Sequence, residues 1–222
     1  MKKSLSILIV TTFLIAIFIS CSKHDNTSND MPIKYYSASI KDKTWWGVLT
    51  YTGKTAEYYS VHFSADNTLI WSQLSGDYAG TWTINNKSII FKFSGSSSEI
   101  TAEISNDDKF ISISDNTPSY EINNGQLMAS PNIPLDNTLW KGIILGGSTV
   151  SPLQLKFLPG AKVEFTLNTI NYGLFNYFRS PFGGSFRFDT GGGYYYFGVF
   201  VSPTQTKGSG NSSEFPFQLT KQ

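Results

Sequence analysis

The 222-residue chain carries 17 Lys+Arg against 16 Asp+Glu, with two His and one Cys. One Cys excludes a disulfide framework and a Cys-rich zinc site. A formal charge of +1 gives no electrostatic footprint for nucleic acid, and an apolar fraction of 40% is too high for a disordered chain.

Lys2 and Lys3 open the chain, and an apolar run follows from Leu5 to Ile19. A basic head, a short apolar centre and a small residue, Ser20, before Cys21 predict a secretory signal peptide over 1–20. The run is shorter than the roughly 20 residues that a spanning helix needs. Ser22 to Ile33 is polar and has no apolar period. Residues 21–34 therefore read as a tether, whose twelve polar residues reach at most about 40 Å when extended.

From residue 35 to 130 alternation of period two recurs between turn residues, which predicts strands. Tyr59, Val61 and Phe63 alternate with Ser60 and His62, and Asp66-Asn67 turns the chain. Leu69 to Leu74 is the next run, then Trp82 and Ile84, closed by a tight turn at Asn85-Asn86. Ile89 to Phe93, Glu99 to Ile104 and Phe110 to Ser114 continue the pattern, and Tyr120 to Met128 reads as a hairpin around Asn123-Asn124-Gly125. Residues 131–137, with two prolines, read as a stiff linker. Over 138–222 the strands expected are Thr138–Leu145, Pro152–Leu158, Lys162–Asn168, Gly184–Asp189, Tyr194–Val201 and Glu214–Thr220. The mature chain has no convincing helical period, so the fold class is all-β, an antiparallel meander in two tandem units. Pro216 cannot donate a ladder hydrogen bond, which places its strand at an edge or seam and leaves closure of the second unit open.

The halves read as copies. W-x-G occurs at Trp45/Gly47 and Trp140/Gly142; Phe63 and Phe157 follow, then Trp71 and Phe165. GTWTI (Gly80 to Ile84) aligns with GSFRF (Gly184 to Phe188), which leaves Asn168 to Gly184 as an insertion in the second half.

Two resemblances attach to these residues. Ile19-Ser20-Cys21 resembles the lipobox of bacterial lipoproteins, which implies that Cys21 is acylated and becomes the new N-terminus. It implies an outer-membrane lipoprotein of a Gram-negative bacterium, on the periplasmic face or at the cell surface. FSADNTLIW (Phe63 to Trp71) and GTWTINNKSIIFKF (Gly80 to Phe93) resemble the small lipocalin-like domains of such lipoproteins, and FLPGAKVEF (Phe157 to Phe165) matches them more loosely. Asn67 stands where those domains carry Gly. The resemblance implies two small lipocalin-like barrels or half-barrels, with a first-strand Trp plugging one end of each.

Catalytic chemistry finds no set of residues. His24 lies in the tether, and His62, aligned with Lys156, is expected to face water. Glu99, Glu103, Glu164 and Asp189 fall on expected outer faces; Asp66, Asp77, Asp107, Asp108 and Asp115 fall in expected turns. No metal-ligand spacing, nucleophile elbow or phosphate loop is present, so no cofactor or metal is expected. What remains is aromatic. The insertion carries Tyr172, Phe175, Tyr177, Phe178, Arg179 and Phe182, which with Tyr194 are the expected ligand contacts. It reads as a recognition loop, or as an extra strand or a plugging lid. Tyr194 to Val201 is apolar on both faces, which implies burial between the units or contact with a ligand or partner. The expectation is a non-enzymatic, membrane-anchored protein binding a small apolar or amphipathic ligand. The rivals are a surface glycan-binding module and a structural lipoprotein docking an envelope partner through Tyr194–Val201.

Overall fold

In a computed structural model of the protein the described residues are 40–51, 56–85, 88–116, 120–128, 132–211 and 215–222. The leader, Cys21, the tether with His24, the Asn85-Asn86 turn at its second residue and Pro131 lie outside them. The strands fall in one compact unit, Ile33–Gln222. The first eight are β1 (Lys43–Tyr51), β2 (Ala56–Phe63), β3 (Thr68–Gln73), β4 (Gly76–Asn85), β5 (Ser88–Phe93), β6 (Glu99–Ile104), β7 (Phe110–Asp115) and β8 (Tyr120–Leu127). The second eight are β9 (Thr138–Gly146), β10 (Thr149–Leu158), β11 (Lys162–Leu167), β12 (Ile170–Arg179), β13 (Ser185–Asp189), β14 (Tyr195–Ser202), β15 (Gln205–Gly210) and β16 (Phe215–Lys221). The protein is all-β, with two tandem eight-stranded antiparallel meanders that fit two lipocalin-like barrels. In each, the last strand returns to pair with the first.

Period-two alternation places the cores. On β2, Tyr59, Val61 and Phe63 are buried and oppose Gly47, Trp45 and Lys43 on β1. Tyr59 stacks on Trp71, and Phe63 meets Trp82, Phe91 and Phe110 edge-on or tilted. The second barrel encloses one continuous core that includes Trp140, Phe157, Phe165, Phe186, Phe188 and Phe200. Its outer wall carries Lys141, Gln154, Lys156 and Gln218. An apolar interior is the reverse of the polar lumen of a membrane-spanning barrel.

The structure revises or completes several expectations. Tyr120–Leu127 is one strand, not a hairpin: Trp46 pairs Gln126 and Val48 pairs Asn123, so Asn124 and Gly125 together oppose Gly47 in a bulge. A Cβ on Gly125 would sit 1.8 Å from the Phe110 ring, which itself stacks on Trp45. The glycine is there for ring contact rather than for a turn. The second barrel closes in spite of Pro216, because pairing of β16 with β9 begins only at Phe217. The first sheet is the less regular of the two. Its β7–β8 seam rests on the Lys109–Gln126 bridge and on Leu127 N–H donating to Asp108 O at 3.1 Å. Finally, the supposed insertion is β12, the fourth strand of its barrel, while Gly184–Phe188 spans β13, the fifth. The first three landmarks of the repeat fall on equivalent strands and the fourth is displaced by one.

The turn at Asp66-Asn67 holds. Asn67 has φ 67°, a left-handed conformation that Asn tolerates, and Asp66 accepts from Thr68 N–H and Oγ1–H. The expected linker is only partly a spacer. Ile133 and Leu135 are buried in the second core, and Thr138 Oγ1 donates to Leu135 O while accepting from Trp140 Nε1 at 2.9 Å. Trp140 is thereby fixed at the end of the barrel where the chain enters.

Candidate functional site

Six of the seven expected contact residues share a segment, but the seven do not share a site. β12 is a strand, so its side chains go to opposite faces. Tyr177 is buried in the second core and Phe175 packs partly buried against it. Phe178 points outward, 62% exposed, with the Arg187 guanidinium 5.8 Å from its ring centre. Arg179 turns to the entry end, donating to Ile133 O and Gly183 O; burial holds its guanidinium below the usual arginine range. Phe182 lies in the β12–β13 connection and stacks on His62 of the first barrel, ring centres 3.6 Å apart. Tyr172 and Tyr194 are the two that the fold brings to one region.

That region is a gap in the barrel wall. β12 pairs β11 from Asn176 to Ile170, but it pairs β13 only at Tyr177, Phe178 and Arg179. Ile170 to Asn176 therefore has no ladder partner on its second edge among the described residues. A bulge opposite Phe165–Thr166 leaves Tyr172 as the extra residue. Gly173, at φ 110°, makes that bend, and its N–H is held by Asn171 Oδ1 at 2.7 Å. The Tyr172 ring then lies 5.7 Å from Phe165. Phe165, Phe188 and Tyr196 form the floor, with Tyr196 5.0 Å from each of the other two and stacked on Phe188. Tyr194, in the β13–β14 connection, forms the opposite rim. Burial pushes the Tyr196 phenol up to about 12, and the neighbouring Tyr194 and Tyr172 hydroxyls add to the shift. Phe165, Phe188 and Tyr196 are themselves buried, so the open aromatic faces here are those of Tyr172 and Tyr194, and the Tyr196 phenol stays neutral behind them. Sequence reading missed Phe165, Phe188 and Tyr196 as site residues; the signal available was the inward alternation of β11, β13 and β14.

From Tyr196 to Phe200 the run is apolar on both faces because both faces are covered, while Tyr194 and Tyr195 stay exposed. Tyr196 and Phe200 point into the second core, while Phe197 and Val199 cluster with Met128 and pack against Trp46, Tyr58 and Leu74 of the first barrel. The interface between units covers Phe197 and Val199. Around the cluster, Ser60 Oγ donates to Ser185 Oγ at 2.9 Å, Arg187 pairs Asp77 at 2.9 Å, and Lys207 lies over Trp46. Asp77, expected in a turn, lies near the start of β4 for this contact. His62 is on the outer face of β2 as the alternation requires, yet it is buried rather than in water. The second barrel covers it, and Thr44 Oγ1 lies 2.9 Å from its Nδ1. Burial lowers its pKa, with Asp42 opposing the shift.

Among the described residues no group of three or more His, Cys, Asp or Glu could hold a metal ion. Asp107 in the Asn106-Asp107-Asp108 turn is held by Lys109 and Ser105. The fold defines two tandem barrel-like units, the second with a strand edge unpaired among the described residues beside the exposed Tyr172 and Tyr194. The chain matches no protein-family model, no curated protein and no solved structure.

Proposed function

We propose that this protein is a lipid-anchored, non-enzymatic lipoprotein of a Gram-negative envelope, and that it binds a small amphipathic molecule in the wall gap of its second barrel. The observation that carries this reading is that, among the described residues, Ile170–Asn176 has no ladder partner on the edge facing β13, beside the Phe165–Phe188–Tyr196 cluster. An eight-stranded barrel is just wide enough for side chains to fill, and this interior is occupied by its own aromatic core. The ligand therefore sits in the gap and not along the barrel axis. Its apolar part lies on the rings, and its polar end accepts from the phenols.

The test is native mass spectrometry of the mature chain purified gently from its own cells. A stoichiometric small molecule, lost in Tyr172→Ala and Tyr194→Ala variants with unchanged circular dichroism, supports the reading. A clean apo mass, with no uptake of an anilinonaphthalene sulfonate dye sensitive to Tyr172, sinks it. A surface glycan module is the second reading, supported by the exposure of Tyr172, Tyr194 and Tyr195. It requires oligosaccharide binding that tracks the same two tyrosines.

A further inference from the structure

Of the exposed large apolar side chains among the described residues, two belong to the first barrel and ten to the second. Their placement is uneven. The meander puts four connections at one end of the second barrel: β9–β10, β11–β12, β13–β14 and β15–β16. Leu145 and Val150 flank the first, Ile170 and Leu174 follow the second, and Tyr194 and Tyr195 close the third. Val150 is 59% exposed and Ile170 57%. The segments 145–150, 167–172 and 189–195 contain no Lys or Arg, their one charged residue is Asp189, and their tips are Gly, Ser, Thr and Asn.

We infer that this crown inserts shallowly into the surface of a lipid bilayer, as a second membrane contact besides the expected acyl anchor at Cys21. Three features select a bilayer as the occupant. Tyrosine beside aliphatic side chains is the composition that settles at a membrane–water interface, with the ring apolar and the hydroxyl wet. Two of these three hairpins are uncharged and the third carries only Asp189 at its base, so the desolvation cost into that zone is small, and the lack of cations argues against an anionic polymer. The chain between Cys21 and Ile40 spans up to roughly 60 Å when extended, about twice the ~33 Å length of a ten-residue strand such as β12. An anchored Cys21 thus leaves the crown free to reach the same membrane from either end of the barrel. The crown uses outer-face and rim side chains, so it stands whether or not the wall gap holds a ligand.

The test uses Ile33–Gln222, the compact unit that holds every described strand and contains no Cys. A polarity-sensitive dye is attached through Val150→Cys or Ile170→Cys at the crown, and through Lys156→Cys on the same outer face of β10 toward the other end. With phosphatidylcholine vesicles, the dye at 150 and 170 shifts to the blue and is quenched by an acyl-chain nitroxide, and the dye at 156 is unchanged. The response persists in about 0.5 M salt, where surface attraction is screened. In co-sedimentation, the combined Val150→Ser, Ile170→Ser and Leu174→Ser variant partitions at least tenfold more weakly. No response at 150 and 170, an equal response at 156, or undiminished partition of the triple variant overturns the inference. So does a dye shift without vesicles that grows with protein concentration, which would assign the crown to a second copy of the chain.

Discussion

Replacing Phe197 by alanine separates the cohesion of the two barrels from the stability of each. The Phe197 ring is 1% exposed, yet it points away from its own core and into the cluster with Met128 and Val199. Truncating a buried Phe costs about 3–5 kcal/mol. Met128 is flexible enough to fill part of the hole, which places the expected loss near about 3 kcal/mol. Against a total of about 5–15 kcal/mol, that is a large share. The tryptophans give the assay: Trp45, Trp46, Trp71 and Trp82 belong to the first barrel and only Trp140 to the second. In urea, tryptophan fluorescence follows mainly the first barrel and far-ultraviolet circular dichroism follows both. The two transitions coincide in the parent protein and separate in Phe197→Ala. Phe178→Ala, an exposed ring, stays within about 0.5 kcal/mol. A loss below about 1 kcal/mol, or a full loss with transitions still coincident, refutes the assignment of Phe197 to the interface.

Protonating His62 should loosen the same interface. Its pKa is lowered in the folded protein, so the unfolded chain takes up the proton first as pH falls below the ordinary histidine value of about 6.5. The stabilisation present above that value is lost as pH falls through the folded pKa; the urea midpoint therefore drops between about pH 7 and 5, and His62→Gln flattens the profile. Gly142→Ala should destabilise by about 1–3 kcal/mol, because its Cβ would meet Gln218 O at 2.0 Å on the closing strand. Gly146→Ala meets only the Phe215 ring edge at 3.3 Å and should melt close to the parent. Asp77→Asn breaks the Arg187 bridge, whose side chains are each 27% exposed, and thermal melts should register at most about 1 kcal/mol.

The strands that could be read in the sequence are those whose two faces differ. β5 and β6 alternate cleanly, and their inward residues are the buried ones. β12 escaped because Tyr172, Leu174 and Phe178 are exposed and apolar while Phe175 and Tyr177 turn inward, which erases the period of two. β15 escaped for the opposite reason: Gln205 to Gly210 contains no large apolar residue, since Gly208 lies directly beneath the Phe217 ring. At His62 the face was legible and the cover was not, for a local pattern carries no information about a second barrel docking on its outer side. The aromatic segment does not gather into one site. Dispersal of its side chains to core, wall, interface and rim follows from its being a strand, and the rings beside the gap come from β11, β13 and β14.

The pairing of first with last strand in each barrel also imposes a timetable. A chain delivered N-terminal end first can complete the β1–β8 seam once Leu127 has emerged, while β9 must wait for β16 at the far end of the polypeptide. During that interval Trp46, Tyr58, Leu74 and Met128 lack the Phe197 and Val199 side chains that cover them in the finished molecule. A half-delivered chain thus presents a sticky surface to its surroundings. Truncation within the last strand should prolong that state and send the product toward aggregation rather than toward a stable single barrel.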